Sequence, residues 1–210
     1  MNATGPHVVL IDNHDSFVYN LVDALAGFNT TVFRNTVPVD EVLAARPDLI
    51  CLSPGPGHPT QAGNMMELLD RVLGQIPVLG ICLGFQALLH RHGGTVEPCG
   101  PVHGVSVPMT LTPAGAVHPI FTGLTTDTEP DQPDYVGTQV PVARYHSLGC
   151  TAVPEGMRAL ATTATDIGEV VMAAETLDGK ALGVQFHPES VLTPTGPIML
   201  ERCIAQLTAR

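Results

Sequence analysis

Val8-Val9-Leu10-Ile11 is an uninterrupted apolar run with no polar alternation. That is the pattern of a strand buried on both faces, as in a parallel sheet covered by helices on each side. The next hundred residues repeat the theme. Asn13 to Asp15 form a polar turn, Ser16 is placed to cap a helix through its side-chain oxygen, and Val18, Leu21, Val22 and Leu25 recur at helical spacing up to Gly27. Thr31 to Arg34 predict a second strand, Val39 to Ala45 a short helix, and Leu49 to Ser53 a third strand. Met65 to Leu73 predict a helix, Pro77 to Ile81 a strand, and Gly84 to Arg91 a helix stopped by Gly93-Gly94. Strands alternating with helices indicate an α/β fold with a mostly parallel central sheet and helices on both faces.

The second half reads differently. Val96, Val105 to Leu111 and Arg158 to Thr163 predict shorter, more antiparallel strands, and Val170 to Thr176 with Ala181 to Phe186 a hairpin closed by Asp178-Gly179. Pro197 to Leu207 predict a final helix. Thr125 to Pro141, with four acidic residues and three prolines, is expected as a surface loop. The expectation is one domain over residues 1–210: a mixed, mainly parallel sheet with a smaller antiparallel element in its second half.

Composition narrows the partners. Apolar residues make up 44% and charged residues 14% of the chain, ordinary for a folded protein. The net charge of −11 repels phosphate backbones and anionic lipid, so neither nucleic acid nor a membrane is an expected partner. The longest apolar stretch, Ile76 to Leu89, is broken by Pro77, Gly80, Gly84 and Gln86 and falls short of the roughly 18 residues of a spanning helix. Met1 to Val9 lack a charged leader region, and the five cysteines (51, 82, 99, 150 and 203) include no Cys-x-x-Cys pair. No metal site is expected, and reduced thiols in the cytoplasm are.

Three segments carry chemistry. Gly80-Ile81-Cys82-Leu83-Gly84 lies between a strand and a helix, the nucleophile-elbow pattern with cysteine at the reactive position. A tight turn exposes the sulfur, flanking glycines remove clashes, and the helix N-terminus favours negative charge there. The N–H of Leu83 would face an oxyanion. By itself the pentapeptide fits a buried structural cysteine equally well. Gln185-Phe186-His187-Pro188-Glu189 comes after a strand. Pro188 keeps His187 extended, so His187 and Glu189 face the same side and can act as a base and its orienting carboxylate. A solvated loop histidine is the plain alternative. Ser53-Pro54-Gly55-Pro56-Gly57 also comes after a strand and offers accessible backbone N–H groups, or is simply a Pro/Gly turn. It lacks a phosphate-loop ending. His7, His14, His58, His90, His92 and His118 are expected as surface or loop residues.

Taken in order, these segments resemble the triad (class I) glutamine amidotransferases along almost the whole chain. Leu10-Ile11-Asp12-Asn13, Asp15-Ser16-Phe17, Tyr19-Asn20-Leu21, Ala62-Gly63, Gln86, Arg144-Tyr145-His146-Ser147-Leu148 and Ser190 extend the match. The Asp-Asn opening and the Tyr-His-Ser-Leu block are similar to the branch serving chorismate-using synthases, the small subunits of anthranilate synthase and aminodeoxychorismate synthase. Arg34-Asn35-Thr36-Val37-Pro38 is closer to the anthranilate side.

The resemblance implies that Cys82 attacks the side-chain amide of L-glutamine, that His187 moves the proton, and that Glu189 orients His187. It implies an oxyanion held by Leu83 and by Gly55 or Gly57, in the Gly55-Pro56-Gly57 loop, and glutamine bound by Gln86 and the backbone of Ser147 and Leu148. It implies no cofactor in this chain and a large synthase subunit, using chorismate, as recipient of the ammonia. A subunit shared with or dedicated to the folate pathway, and a non-catalytic regulatory subunit on the same fold, are the alternative readings. Two positions depart from the family pattern. Phe85 stands where many relatives carry His, and Val105 stands where the usual His-Gly-Lys would place its lysine.

Overall fold

A computed structural model describes residues 5–128 and 137–209. In chain order the elements are β1 (His7–Asp12), α1 (Val18–Ala24), β2 (Asn29–Arg34), α2 (Val39–Ala44), β3 (Leu49–Leu52), α3 (Met65–Val72), β4 (Val78–Ile81) and α4 (Leu83–Arg91). The second half adds β5 (Glu97–Pro98), β6 (Val105–Leu111), α5 (Pro113–Ala116), β7 (Gln139–Arg144), β8 (Leu148–Gly149), β9 (Met157–Thr165), β10 (Gly168–Thr176), β11 (Ala181–Val184) and α6 (Gly196–Thr208).

One nine-stranded sheet runs β2-β1-β3-β4-β11-β10-β9-β6-β7, and β5 pairs with β8 in a separate two-stranded ladder. The pairings from β2 through β1, β3 and β4 to β11 are parallel. Those from β11 to β7 are antiparallel. The expected class therefore stands, but most of the antiparallel half is an extension of the main sheet rather than an appended piece.

The unalternating strands divide their side chains between two cores. Val8 and Leu10 of β1, Leu49 and Cys51 of β3, and Leu79 and Ile81 of β4 face Leu21 and Leu25 at α1, together with Met199, Leu200, Cys203, Ile204 and Leu207 of α6. Their neighbours Val9, Ile11, Ile50, Leu52 and Val78 face α2, α3 and α4 through Val42, Leu68, Leu69 and Leu88. Successive residues of a strand point to opposite faces, so each apolar run serves both layers. A third cluster joins Phe85 and Leu89 to Cys150, Met157, Val171 and Ala174. Phe85 is fully buried, and a Cβ at Gly183 would lie 2.3 Å from its ring. The departure at Phe85 is thus a packing choice, accommodated by a glycine on β11. Val105, the other departure, opens β6 half-exposed.

Several expectations are corrected. Ser16 does not cap α1. The Phe17 N–H donates to Asp15 Oδ2 at 3.0 Å, and the helix begins at Val18 without a side-chain cap. Asp15 thus occupies the turn that Ser16 would have needed. The helix also ends before Gly27, at Ala24, and short turns through Leu25 lead into β2. The segment Thr125 to Pro141 is not all loop. β7 starts at Gln139, and Val140 and Val142 are fully buried. Pro141 obscured this strand, but it lies opposite Pro108 on an edge strand, where a missing N–H is tolerated. Residues 129–136 of that segment lie outside the described residues.

His118, expected at the surface, is buried together with Glu175. His118 Nε2 lies 3.3 Å from Glu175 Oε2, and Arg158, its cross-strand neighbour, pairs with Oε1. Gln206 Nε2 donates to Oε2 at 3.2 Å. The hydrogen bond from His118, with Arg158 beside it, outweighs burial and holds the Glu175 carboxyl down at about 2, below its ordinary 4.5. A depressed folded value means stability that is present above the ordinary pKa and lost as pH falls through the folded one. Thermal melts across pH should therefore show this contribution vanishing between pH 4.5 and 2. Glu175→Gln should flatten that part of the profile and cost about 1–3 kcal/mol at neutral pH.

Candidate active site

Parallel pairing places the C-terminal ends of β1, β3, β4 and β11 side by side. Ligands of open α/β sheets bind at such ends. The residues that leave these strands are Asn13, Ser53, Cys82 and Gln185.

Cys82 occupies the elbow. Its φ of 51° and ψ of −102° are strained for a residue with a Cβ, a conformation that costs on the order of 1–3 kcal/mol. Neighbouring contacts enforce it. The Cys82 N–H donates to Val184 O at 2.8 Å, and the Cys82 carbonyl accepts the first bond of α4, from the Gln86 N–H, at 2.9 Å. The flanking glycines are required by space. A Cβ at Gly80 would meet Gly84 O at 2.6 Å, and one at Gly84 would meet Leu52 O at 2.4 Å. The N–H groups of Leu83 and Gly84 lie in the first helical turn, where no intrahelical acceptor exists.

His187 and Glu189 leave β11 facing the same side. His187 Nδ1 lies 2.6 Å from Glu189 Oε1, with both side chains at most 5% exposed. That bond assigns the Nδ1 proton and leaves Nε2 as the acceptor of the neutral ring. Burial works against charge on the ring, but the bonds and charges of Cys82 and Glu189 outweigh it, so the His187 pKa is raised well above its ordinary value. Thr193 fixes the loop. Its Oγ1 donates to His187 O at 2.7 Å and accepts from Ala143 N–H at 2.9 Å. Tyr145 packs edge-on against His187 with ring centroids 4.9 Å apart, and Phe17 lies 5.8 Å from Tyr145. A cavity of about 90 Å³ opens beside these rings and Glu189.

The Gly55-Pro56-Gly57 loop is bolted to β1. Asn13 N–H donates to Ser53 Oγ and Asn13 Nδ2 to Ser53 O, each at 2.9 Å, and Asn35 Nδ2 donates to Asn13 Oδ1. A Cβ at Gly55 would lie 2.4 Å from Asn13 O and 3.0 Å from the Leu83 side chain, so Gly55 abuts the elbow. Pro56 and Gly57 are exposed, and Gly57 has a φ of 80°. Gln86 is buried on α4 and donates through Nε2 to Leu148 O at 2.9 Å. Ser147 is exposed and Leu148 half-buried at the rim. All ten site residues read from the sequence thus fall at or around one sheet edge.

Other participants belong to the matching sequence blocks but had no role there. Arg144 and His146 are buried beneath Leu148, and Arg144 Nε donates to His146 Nε2 at 3.0 Å. Burial, then the Arg144 charge, pushes His146 down to about 4, so it is a neutral brace. Gln185 donates through Nε2 to the Cys82 sulfur at 3.6 Å. The signal for Gln185 is present in the sequence, because the alternation that pairs His187 with Glu189 extends one step back to Gln185. Among the described residues no cluster of three or more His, Cys, Asp or Glu side chains is arranged for a metal ion, and no helix is long and apolar enough to cross a membrane.

Comparison with known proteins agrees with this architecture. The family model for glutamine amidotransferase class-I matches residues 9–207. A relative from Corynebacterium glutamicum named anthranilate synthase component 2 is 66% identical over 205 residues, covering 97% of this chain and 99% of that protein. Another from Pseudomonas aeruginosa, anthranilate synthase component 2, pyocyanine specific, is 41% identical, covering 94% and 92%. The crystal structure of ta0944m, a GMP synthase subunit protein from Thermoplasma acidophilum, superimposes with a TM-score of 0.77 over 98% of this chain and 95% of that one. At 19% identity it speaks for the fold alone. The chain belongs to the class-I glutamine amidotransferases.

Proposed function

We propose that this chain is the glutaminase component of an anthranilate synthase, hydrolysing L-glutamine and passing ammonia to a chorismate-converting synthase subunit. The observation that carries the reading is the 66% identity, end to end, with the Corynebacterium component 2. It is supported by the assembled Cys82, His187 and Glu189.

In this reading His187 Nε2 takes the thiol proton, and the Cys82 sulfur attacks the side-chain amide carbon. The oxyanion is held by the Leu83 N–H and one from Gly55 or Gly57. Glu189 stabilises the imidazolium. His187 then protonates the departing ammonia, leaving a γ-glutamyl thioester, and water activated by the same ring releases glutamate. Gln86 with the Ser147-Leu148 backbone binds the amino-acid end of the substrate. Nothing in this series of steps calls for a cofactor.

The decisive experiment reconstitutes the chain with its synthase partner and follows anthranilate fluorescence. Cys82→Ser should abolish glutamine-dependent anthranilate formation and spare the ammonia-dependent reaction. Retained glutamine-dependent activity would remove Cys82 from its role, and absence of fluorescence with chorismate and glutamine would point to another acceptor. His187→Gln should lower the glutamine-dependent rate by on the order of 10²–10⁴, again without loss of the ammonia-dependent rate.

A further inference from the structure

Gln185 touches the Cys82 sulfur, yet glutamine hydrolysis by Cys82, His187 and Glu189 gives it no task. Its side chain is fully buried, and so, very nearly, is that of Gln86. The two belong to a continuous chain of hydrogen bonds. Gln185 Nε2 donates to Cys82 Sγ at 3.6 Å, while Gln185 Oε1 accepts from Gln86 Nε2 at 3.1 Å. The same Gln86 nitrogen donates to Leu148 O at 2.9 Å. Leu148 O also faces His146 Nδ1 at 2.9 Å, and His146 Nε2 accepts from Arg144 Nε.

The direction of every link is determined. A guanidinium can only donate, so His146 Nε2 accepts and its Nδ1 carries the proton given to Leu148 O. A carbonyl oxygen can only accept, so the amide atom of Gln86 facing Leu148 O must be nitrogen. That nitrogen's second hydrogen reaches Gln185, which must therefore present oxygen to Gln86 and nitrogen to Cys82. A reversed Gln185 would set its own nitrogen against that of Gln86, two donors in contact in a buried space, and its Oε1 against the sulfur.

We propose that Gln185 is a catalytic residue that donates its amide N–H to the Cys82 sulfur, and that Gln86 is a positioning residue that holds this amide in the donating orientation. The proposal rests on Cys82 being the nucleophile. An N–H aimed at sulfur favours the anion over the neutral thiol, because bonds to a charged acceptor are the stronger kind. Gln86 thereby ties two events together. The nitrogen that orients Gln185 also holds Leu148, on the rim where the amino-acid end of glutamine is bound.

Several titratable groups surround the sulfur. His187 and, behind it, Glu189 face it from the loop after β11. Cys99, beside Arg144, and His146 lie farther out, near β5 and β8, and Asp15 acts on His187 from the turn before α1. Gln185→Met and Gln86→Met leave all of them in place and add no charge, so any shift belongs to the amides.

The test is the pH dependence of Cys82 alkylation by iodoacetamide in the full chain, read by peptide mass spectrometry. Gln185→Met keeps the volume and removes the donor. Its alkylation midpoint should rise by roughly one pH unit, with alkylation at pH values under the midpoint about tenfold slower. Gln86→Met keeps the volume without adding charge, removes the nitrogen that fixes the Gln185 amide, and should shift the midpoint in the same direction. Because Gln86 acts through Gln185, the double variant should move no further than Gln185→Met alone. Unchanged midpoints in folded variants, or additive shifts, would overturn the proposal, and Gln86→Met decides it should Gln185→Met fail to fold. An unreactive Cys82 in the unaltered protein would instead remove the nucleophile assignment, and this proposal with it.

Discussion

The site depends on the hydrogen bond from Cys82 N–H to Val184 O, the last rung between β4 and β11. It closes the parallel ladder at the point where β4 turns into α4, and it anchors the strained elbow to the strand from which Gln185, His187 and Glu189 emerge. Gly80, Gly84 and Gly183 clear the space on either side of that rung. Without this register Cys82 and His187 would belong to unrelated parts of the molecule. With it, the sulfur, the imidazole and a buried amide are neighbours before any substrate arrives, which is the preorganisation on which such catalysis relies.

Two buried histidines near this rung experience opposite surroundings. His187 has an acidic partner and a thiol, so it is driven toward charge. His146 is buried with a guanidinium at Nε2, so burial first and then the Arg144 charge drive it to neutrality. The side-chain type is the same and the neighbours decide the chemistry. The neutral ring is useful because it is directional. It transmits a donor-to-acceptor sense from Arg144 to Leu148 and holds the Leu148 carbonyl in place.

Much of this is legible in the sequence because it rests on local rules. The unalternating run at Val8–Ile11 implies a two-faced sheet, the glycines around Cys82 imply a tight turn, and Pro188 implies that His187 and Glu189 share a side. The features that escape such rules depend on distant partners. Nothing local tells that Asp15 rather than Ser16 receives the Phe17 N–H. Pro141 reads as a breaker until Pro108 is placed opposite it on an edge. His118 reads as a surface residue because Glu175 and Arg158, which make its burial tolerable, come from strands far along the chain. Gln185 stands in plain view within its motif, but its role needs the orientation of Gln86, and that is set by a carbonyl on a third element.

The position of β11 has a consequence for how the protein comes into being. β4 finds its second neighbour only when residues beyond Lys180 arrive, and Cys82 and Gln185 are 103 residues apart in sequence. As the chain leaves the ribosome, β4 therefore waits as a bare edge with apolar side chains on both faces, open to wrong pairing. Such long-range closure is slow. In return, a nascent or truncated chain carries the cysteine but neither the imidazole nor the amide beside it. The grouping of thiol, amide and imidazole is thus acquired late, once the chain extends past Glu189, and a shorter fragment holds the cysteine without its neighbours.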